Sequence, residues 1–282
     1  MKNQSVAVIG ANGKTGSRVL ARLQAAGYAT RALSRSSQFT FDWENRDTWV
    51  PALQGVHAVY VTYYPDLAVP RAEEDIHALV GAAKEAGIEH LVLLSGRGED
   101  GAQRAEAVIK HSGMAWNIVR ASWFMQNFSE SFMLEGIQSG NLILPEPKAC
   151  EPFIDIDDLA GVVVAALTRP ELVNQLFEVT GPELLTFRQC VDIIAHQTGR
   201  KIAITTVPVE AYLEGARKAG LPEDIAWLMN ELFVNVLDGR NESVTLTLGN
   251  LLGRPPRRFE DYVASTAATG IWNMITVDTE AG

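Results

Sequence analysis

The chain has 282 residues, 47% hydrophobic and 21% charged, a composition typical of a globular protein with one large core, or one core and an extra lobe. Its formal net charge is −10. Because nucleic acids and anionic membranes attract basic surfaces, this charge argues against both as partners. A local basic pocket for a phosphate stays compatible with it.

Features that would mark a secreted, membrane or metal-binding protein are missing from the sequence. No apolar run reaches the roughly 18 residues of a membrane span, and the sequence shows no signal-peptide pattern of a charged region followed by an apolar one. We therefore expect a cytoplasmic protein. Cys150 and Cys190 form no Cys-x-x-Cys pair, which favours reduced, buried thiols over a disulfide. The histidines lack metal-ligand spacing, so no metal site is expected.

The first predicted strand, Ser5 to Ile9, runs directly into Gly10, Gly13 and Gly16, and a helix pattern follows. This order of strand, glycine turn and helix is typical of a pyrophosphate site in an open parallel sheet. Gly10 permits the sharp turn, Gly13 lets the backbone approach phosphates, and Gly16 lets the helix pack closely on the strand. The alternative is a turn of structural use only.

The rest of the first half alternates strands and helices, which predicts right-handed crossovers and a parallel sheet. Only four residues separate the second strand from Phe39, and they span at most ~14 Å. The helix expected at that point is therefore missing, and the direction of segment 39–43 stays open. Predicted strands are 29–34, 56–62, 90–95 and 115–120, and predicted helices start at Pro70 and cover 103–111.

The second half is less regular. Thr186 and Gln189 match a capping box for a helix that ends near Thr198. An apolar stripe follows the break at Leu221–Pro222, and the residues from about Ala264 are polar and predict a loose tail. Other predicted elements are a helix ending at 167 and strands at 175–179 and 202–207.

Six stretches, in a fixed order, carry a family resemblance. They are GANGKTGSRV (10–19), GVHAVYVT (55–62), AAKEAGIEHLVLLSG (82–96), RAEAVIKHSGMAWNIVRASWFMQNF (104–128), PFIDIDDLA (152–160) and VPVEAYLEGARKAGLPEDIA (207–226). Together they resemble the NmrA-like family of atypical short-chain dehydrogenases/reductases. The missing second helix and FDWENRDTW (41–49) resemble the branch of agroclavine and festuclavine dehydrogenases, which reduce iminium bonds, although no alkaloid substrate is inferred.

The resemblance and the strand–helix order imply an α/β protein with a Rossmann-type doubly wound parallel sheet and a smaller, mainly helical C-terminal lobe. We expect residues 1–130 plus about 153–180 to form the NAD(P)-binding domain. Residues about 131–152 and 181–263 would form the substrate-binding lobe, and 264–282 the C-terminal tail.

The end of the second strand predicts the cofactor. NAD sites usually carry Asp or Glu there, whereas this chain has Ser34, Arg35 and Ser36. Arg35 can hold a 2′-phosphate and the serines can bond to it, so NADPH is favoured over NADH. The alternative is a solvated loop arginine, and Arg31 is a weaker candidate. Within the glycine loop, Lys14 and Thr15 are further phosphate candidates, and Asn12 is assigned to the turn.

Further candidates follow from the sheet and from the resemblance. Thr62, Tyr63, Tyr64 and Ser95 end strands at the carboxyl edge, where ligands bind. The resemblance implies that Asp42 and Trp43 flank adenine and that Trp123 and Asn127 reach the nicotinamide. Ordinary packing is the alternative for each. An apolar substrate pocket is expected between the carboxyl edge and the second-half helices, with candidates Tyr64, Trp123, Phe124, Tyr212, Trp227, Met229 and Phe233.

The usual proton donor of short-chain dehydrogenases, a Tyr-x-x-x-Lys pair, is missing: no lysine has Tyr four residues before it. Arg104 stands where many relatives carry lysine, and it cannot serve as an acid. Tyr63 and Ser95 are the remaining catalytic candidates. We therefore favour a reductase of a small hydrophobic substrate, either neutral or a cationic aromatic, with an iminium, a conjugated bond or a quinone as acceptor. The alternatives are a redox sensor without turnover and an isomerase or dehydratase. The protein is expected to be a monomer or a homodimer.

Overall fold

The computed structural model describes residues 5–146 and 149–274, which divide into two compact units. The first unit holds the described residues of Met1–Ser122, Ile156–Thr180 and Thr245–Pro256. The second holds those of Trp123–Asp155, Gly181–Val244 and Arg257–Gly282.

Strands and helices are numbered in chain order. The strands are β1 Val6–Ile9, β2 Thr30–Ser34, β3 Phe39–Thr40, β4 Ala58–Val61, β5 His90–Gly96, β6 Ala115–Ala121, β7 Asn141–Pro145, β8 Gln175–Val179 and β9 Ala203–Val207. The α-helices are α1 Lys14–Ala25, α2 Trp49–Leu53, α3 Ala72–Glu85, α4 Asp100–Lys110, α5 Leu134–Ser139, α6 Ile156–Thr168, α7 Phe187–Thr198, α8 Val209–Lys218, α9 Glu223–Asn230, α10 Thr247–Leu252 and α11 Phe259–Ala267.

The first unit is built on a seven-stranded sheet in the order β3-β2-β1-β4-β5-β6-β8, with every neighbouring pair parallel. Strands β1 and β4 are buried at every residue because helices cover both faces of the sheet. Helix α1 packs against α6, and α3 packs against α4. The predicted doubly wound α/β fold is confirmed.

The missing second helix is also confirmed, and the structure gives the direction of the short segment that follows. Strand β3 pairs parallel with β2, with Leu33 opposite Phe39. The four-residue connection turns back beside β2 without a helix. A 3₁₀ turn at Arg46–Thr48 and the short helix α2 then lead the chain to β4.

The second unit has a two-stranded parallel sheet of β7 and β9, with α5, α7, α8, α9 and α11. The predicted capping box of α7 is confirmed, since the Thr186 side chain accepts from the Gln189 backbone and Gln189 accepts in return. A π-helix, Glu231–Val236, continues α9. Cys190 is buried and Cys150 is partly exposed, both as free thiols. The core is aromatic and contains Trp123, Phe128, Phe153, Phe187, Phe233, Phe259, Tyr262 and Trp272.

The tail predicted from Ala264 is wrong for the residues up to 274. Helix α11 runs through Ala267, and Trp272 is only 1% exposed. The Trp272 indole N–H donates to the Phe128 carbonyl at 2.7 Å, which anchors this segment in the core of the second unit. Residues 275–282 of the predicted tail lie outside the described residues.

The predicted domain boundaries also need correction. Helix α10 belongs to the first unit, not to the lobe, because the segment before it is fastened to the end of β8. The Thr245 backbone N–H donates to Thr180 Oγ1 at 3.0 Å, and its hydroxyl donates to the Glu178 carbonyl at 2.9 Å. In residues 5–146 and 149–274, no helix combines the length and apolarity that crossing a membrane requires.

Candidate cofactor site

The glycine turn after β1 requires two of its glycines by geometry. Gly10 has a φ of +70°, and a Cβ on it would overlap the Thr62 hydroxyl. A Cβ on Gly16 would overlap the Gly10 carbonyl. Gly13 is less restricted, since its Cβ would lie 3.2 Å from that same carbonyl. The predicted roles of Gly10 in the turn and of Gly16 in close packing therefore match the structure.

The start of α1 has the features of an anion site. Its N-cap is Gly13, which has no side chain that could cap the first turn, and that turn contains no acidic residue. Backbone N–H groups and the helix dipole together favour a phosphate at this position. Lys14 begins the helix, whereas the Thr15 side chain is buried, so Thr15 would contribute through its backbone N–H.

Asn12 links the glycine turn to the end of β2, a contact that the sequence did not predict. Its amide nitrogen donates to Ser34 Oγ at 3.1 Å and to Ser36 Oγ at 3.3 Å. Ser37 closes the same loop, because its hydroxyl donates to the Phe39 carbonyl at 2.7 Å. The two loops that would bind the pyrophosphate and the ribose are therefore in direct contact.

The two arginines near β2 differ in their contacts. Arg31 donates to the carbonyls of Ala52 and Gln54 at 2.8 and 2.7 Å and lies over the Phe39 ring, so it supports α2. Arg35 is exposed and forms no ion pair with any residue in the described part of the chain. Arg35 is thus the arginine available to a ligand at the end of β2.

Trp43 is half-buried beside the glycine turn. Its indole N–H donates to the Thr62 carbonyl at 3.1 Å, and its ring lies 4.7 Å from Tyr63 and 5.3 Å from Trp49. The neighbouring Asp42 makes local contacts, accepting from the Glu44 backbone at 3.1 Å. The candidate adenine segment is therefore packed against the carboxyl edge of the first unit.

Tyr63 and Tyr64 face different surroundings. Tyr63 is 8% exposed, and its hydroxyl donates to Asp75 at 2.6 Å and accepts from Arg71 at 2.9 Å. Burial, and then the hydrogen bond to Asp75, raise the pKa of Tyr63 well above its usual value. A hydroxyl held in this way is a poor proton donor to a substrate. Tyr64, at 67% exposure, is open to solvent.

Ser95 is tied to a buried carboxylate. Its hydroxyl donates to Glu106 at 2.7 Å, and Glu106 is fully buried. Arg120 donates to both Glu106 oxygens, at 2.9 and 2.6 Å, and Lys110 adds a bond at 3.1 Å. Burial would raise the pKa of Glu106, but the bonds from Arg120 and Ser95 outweigh it and lower that pKa below its ordinary value. These contacts hold the Ser95 hydroxyl in a buried ionic network inside the first unit, which is a structural role.

The candidates of the second unit divide between its aromatic core and its surface. Trp123 is 9% exposed and packs edge-on against Phe187 and Phe233 at 5.3 and 5.6 Å. Tyr212 lies 6.4 Å from Phe233, whereas Trp227 is 37% exposed. Phe124 precedes a short 3₁₀ turn and Asn127 lies within it, and both are partly buried. Their assignment to substrate or nicotinamide stays a prediction.

Sequence reasoning missed three charged residues that organise the first unit: Asp75, Glu106 and Arg120. One signal was available for two of them. Arg120 ends a predicted apolar strand, and Glu106 lies among Ala105 and Ile109 on an apolar helix face. A charged residue in such a position is expected to have an opposite partner.

Comparison with known proteins decides the family. Residues 2–243 match the model of the NmrA-like family. The chain belongs to this family. An NAD(P)H azoreductase of Xenophilus azovorans is 30% identical, over 93% of this chain and 98% of that protein. Agroclavine dehydrogenase of Claviceps fusiformis is 28% identical, over 96% and 99%. Among solved structures, the NADPH complex of an Escherichia coli quinone oxidoreductase matches with a TM-score of 0.74 at 18% identity, over 92% and 99%.

Proposed function

We propose that this chain is an NADPH-dependent reductase that delivers hydride to a small hydrophobic substrate, with an iminium carbon, a quinone or a conjugated bond as the acceptor. The observation that carries the proposal is the contact of Asn12 with Ser34 and Ser36. It joins a helix start suited to pyrophosphate with a loop suited to a 2′-phosphate. Arg35, in place of an acidic residue, supports NADPH over NADH.

When bound, the dinucleotide supplies a hydride. The chain itself would contribute binding and orientation: the start of α1 would hold the pyrophosphate, and Arg35 would hold the 2′-phosphate. The Tyr63 and Ser95 hydroxyls donate hydrogen bonds to Asp75 and Glu106, so neither is oriented to protonate a substrate. An acceptor carbon that is already cationic needs no protein acid at the addition step, which fits this site.

The similar proteins support an oxidoreductase activity and differ in the substrate that they reduce or oxidise. They are an azoreductase that uses NAD(P)H, an agroclavine dehydrogenase and an NADPH-dependent quinone oxidoreductase. The aromatic core of the second unit, with Tyr212 and Phe233, suits a hydrophobic or cationic ring. We propose a cytoplasmic enzyme.

A redox sensor of the NmrA type is the second candidate. The bonds that hold the Tyr63 and Ser95 hydroxyls favour it equally, because a sensor needs the dinucleotide site and no proton donor.

Titration of the protein with NADPH, NADP⁺, NADH and NAD⁺, followed by quenching of its six tryptophans, tests both candidates. The reductase requires tight NADPH binding and NADPH oxidation with a quinone or an iminium acceptor. Tighter binding of the oxidised forms without turnover would support the sensor. Failure of all four to bind would contradict both.

A further inference from the structure

Asp75, on α3, is a buried carboxylate that collects three donors. It is 6% exposed, and its two oxygens accept from the Tyr63 hydroxyl at 2.6 Å, from Arg71 at 3.2 Å and from Arg46 at 2.8 Å. Two positively charged side chains on one buried carboxylate fix its orientation. The site proposed above assigns no role to this residue.

The same two arginines connect α3 with the segment that stands in place of the second helix. Arg71 forms a two-point bond with Glu44, at 3.1 and 2.5 Å. Arg46, within the 3₁₀ turn of that segment, also reaches the exposed Glu74 at 2.8 Å. Asp75 is therefore the buried centre of a clamp between α3 and residues 41–49.

Trp43 connects this clamp to the glycine turn through a ring contact and a hydrogen bond. Its ring packs on Tyr63, whose hydroxyl is bonded to Asp75, and its indole N–H bonds the Thr62 carbonyl. The Thr62 hydroxyl in turn donates to the Ile9 carbonyl at 3.0 Å, directly before Gly10. A continuous series of contacts runs from the buried carboxylate to the predicted pyrophosphate loop.

We infer that Asp75 is a positioning residue for the adenosine half of the dinucleotide, acting through Trp43. This inference rests on the proposed function. In a doubly wound sheet the adenosine ribose lies over the end of the second strand. Strand β3 pairs with β2 at that end, so residues 41–49, which follow β3, form the neighbouring wall. A displaced wall weakens adenosine contacts and leaves the nicotinamide half unchanged.

The test uses the two halves as separate probes: adenosine 2′,5′-bisphosphate and nicotinamide mononucleotide. Asp75→Asn keeps the size of the side chain but replaces an acceptor oxygen with a donor, so at least one of the three bonds is lost. We expect Asp75→Asn to weaken adenosine 2′,5′-bisphosphate binding by up to about tenfold, since the energy of one bond to a charged group limits what the displaced wall can lose. Glu74→Gln, which removes only the exposed partner of Arg46, is the matched control and leaves both affinities unchanged.

Trp43→Phe is the second variant, because it keeps an aromatic ring at this position while it removes the bond to Thr62 and part of the packing on Tyr63. It should weaken the same probe with no loss of thermal stability beyond that of Asp75→Asn, and NADPH saturation should restore kcat in both variants while KM rises. If Asp75→Asn folds and binds the adenosine probe as tightly as the wild type, the inference is overturned. If Asp75→Asn does not fold, wild-type affinity in Trp43→Phe overturns it. A wild-type protein that fails to bind this probe overturns the proposed function instead.

Discussion

Gly16, in the first turn of α1, faces the Gly10 carbonyl so closely that a single added methyl group would overlap that oxygen. The contact fixes how near α1 approaches the end of β1, and with it the position of the helix start that is the candidate phosphate site. The backbone of α1 can approach the backbone at the end of β1 this closely because Gly16 has no side chain.

Gly16→Ala should destabilise the protein by about 1–3 kcal/mol, the usual cost of forcing a methyl group into a packed interior. Gly81→Ala is the matched control: it lies exposed in α3 with nothing within 4 Å of its Cβ position. That change should stabilise by about 0.5–1 kcal/mol through helix propensity. Urea unfolding followed by circular dichroism measures both, and equal stabilities of Gly16→Ala and the wild type would contradict the packing argument.

Arg35→Ala should weaken NADPH binding by about tenfold to a hundredfold and leave NADH binding nearly unchanged, since only NADPH offers the 2′-phosphate to a charged donor. Arg31→Ala is the comparison, because Arg31 is bonded to the Ala52 and Gln54 carbonyls. It should lower stability without changing the ratio of the two dissociation constants. Fluorescence titration with each dinucleotide gives that ratio, and an equal loss for both in Arg35→Ala would refute the cofactor assignment.

The sheet of the first unit was predictable because its strands are short apolar runs between glycine-ended helices. The direction of β3 was not, since two exposed residues carry no periodicity and their pairing with Leu33 and Ser34 depends on the loop between them. Trp272 was missed because it stands in a polar stretch, and its place in the core follows from its burial and from its bond to the carbonyl of Phe128, a residue distant in sequence.

In the candidate site, features set by local sequence were predictable and contacts between distant residues were not. The spacing of the glycines indicates the local geometry of the turn, so the roles of Gly10 and Gly16 could be predicted. The contacts of Asn12 with Ser34 and of Asp75 with Tyr63 join residues 22 and 12 positions apart, and no local pattern encodes them. The same holds for Ser95, whose position at a strand end suggested chemistry, whereas its hydroxyl is bonded to Glu106.

Ser95→Ala and Tyr63→Phe should each lower turnover by less than about a hundredfold, because a positioned general acid contributes more than that and neither hydroxyl is free to act as one. Steady-state rates with one quinone and one iminium acceptor provide the measurement. A ten-thousandfold loss in either variant would identify it as the proton donor, and the contacts with Glu106 or Asp75 would then have to open during turnover.

Glu106 should make the stability of the protein depend on pH in the acid range. Because its pKa is lower in the folded chain than the ordinary 4.5, the stabilisation by Arg120 and Ser95 is complete above that value and is lost as the pH falls through the lower, folded pKa. The difference in unfolding free energy between wild type and Glu106→Gln should therefore be constant from pH 7 to about pH 5 and shrink below it. Glu85→Gln, at an exposed position in α3, gives the background for removing one carboxylate. A difference that stays constant down to pH 3, or that grows on acidification, would show that Glu106 is not held ionised by its partners.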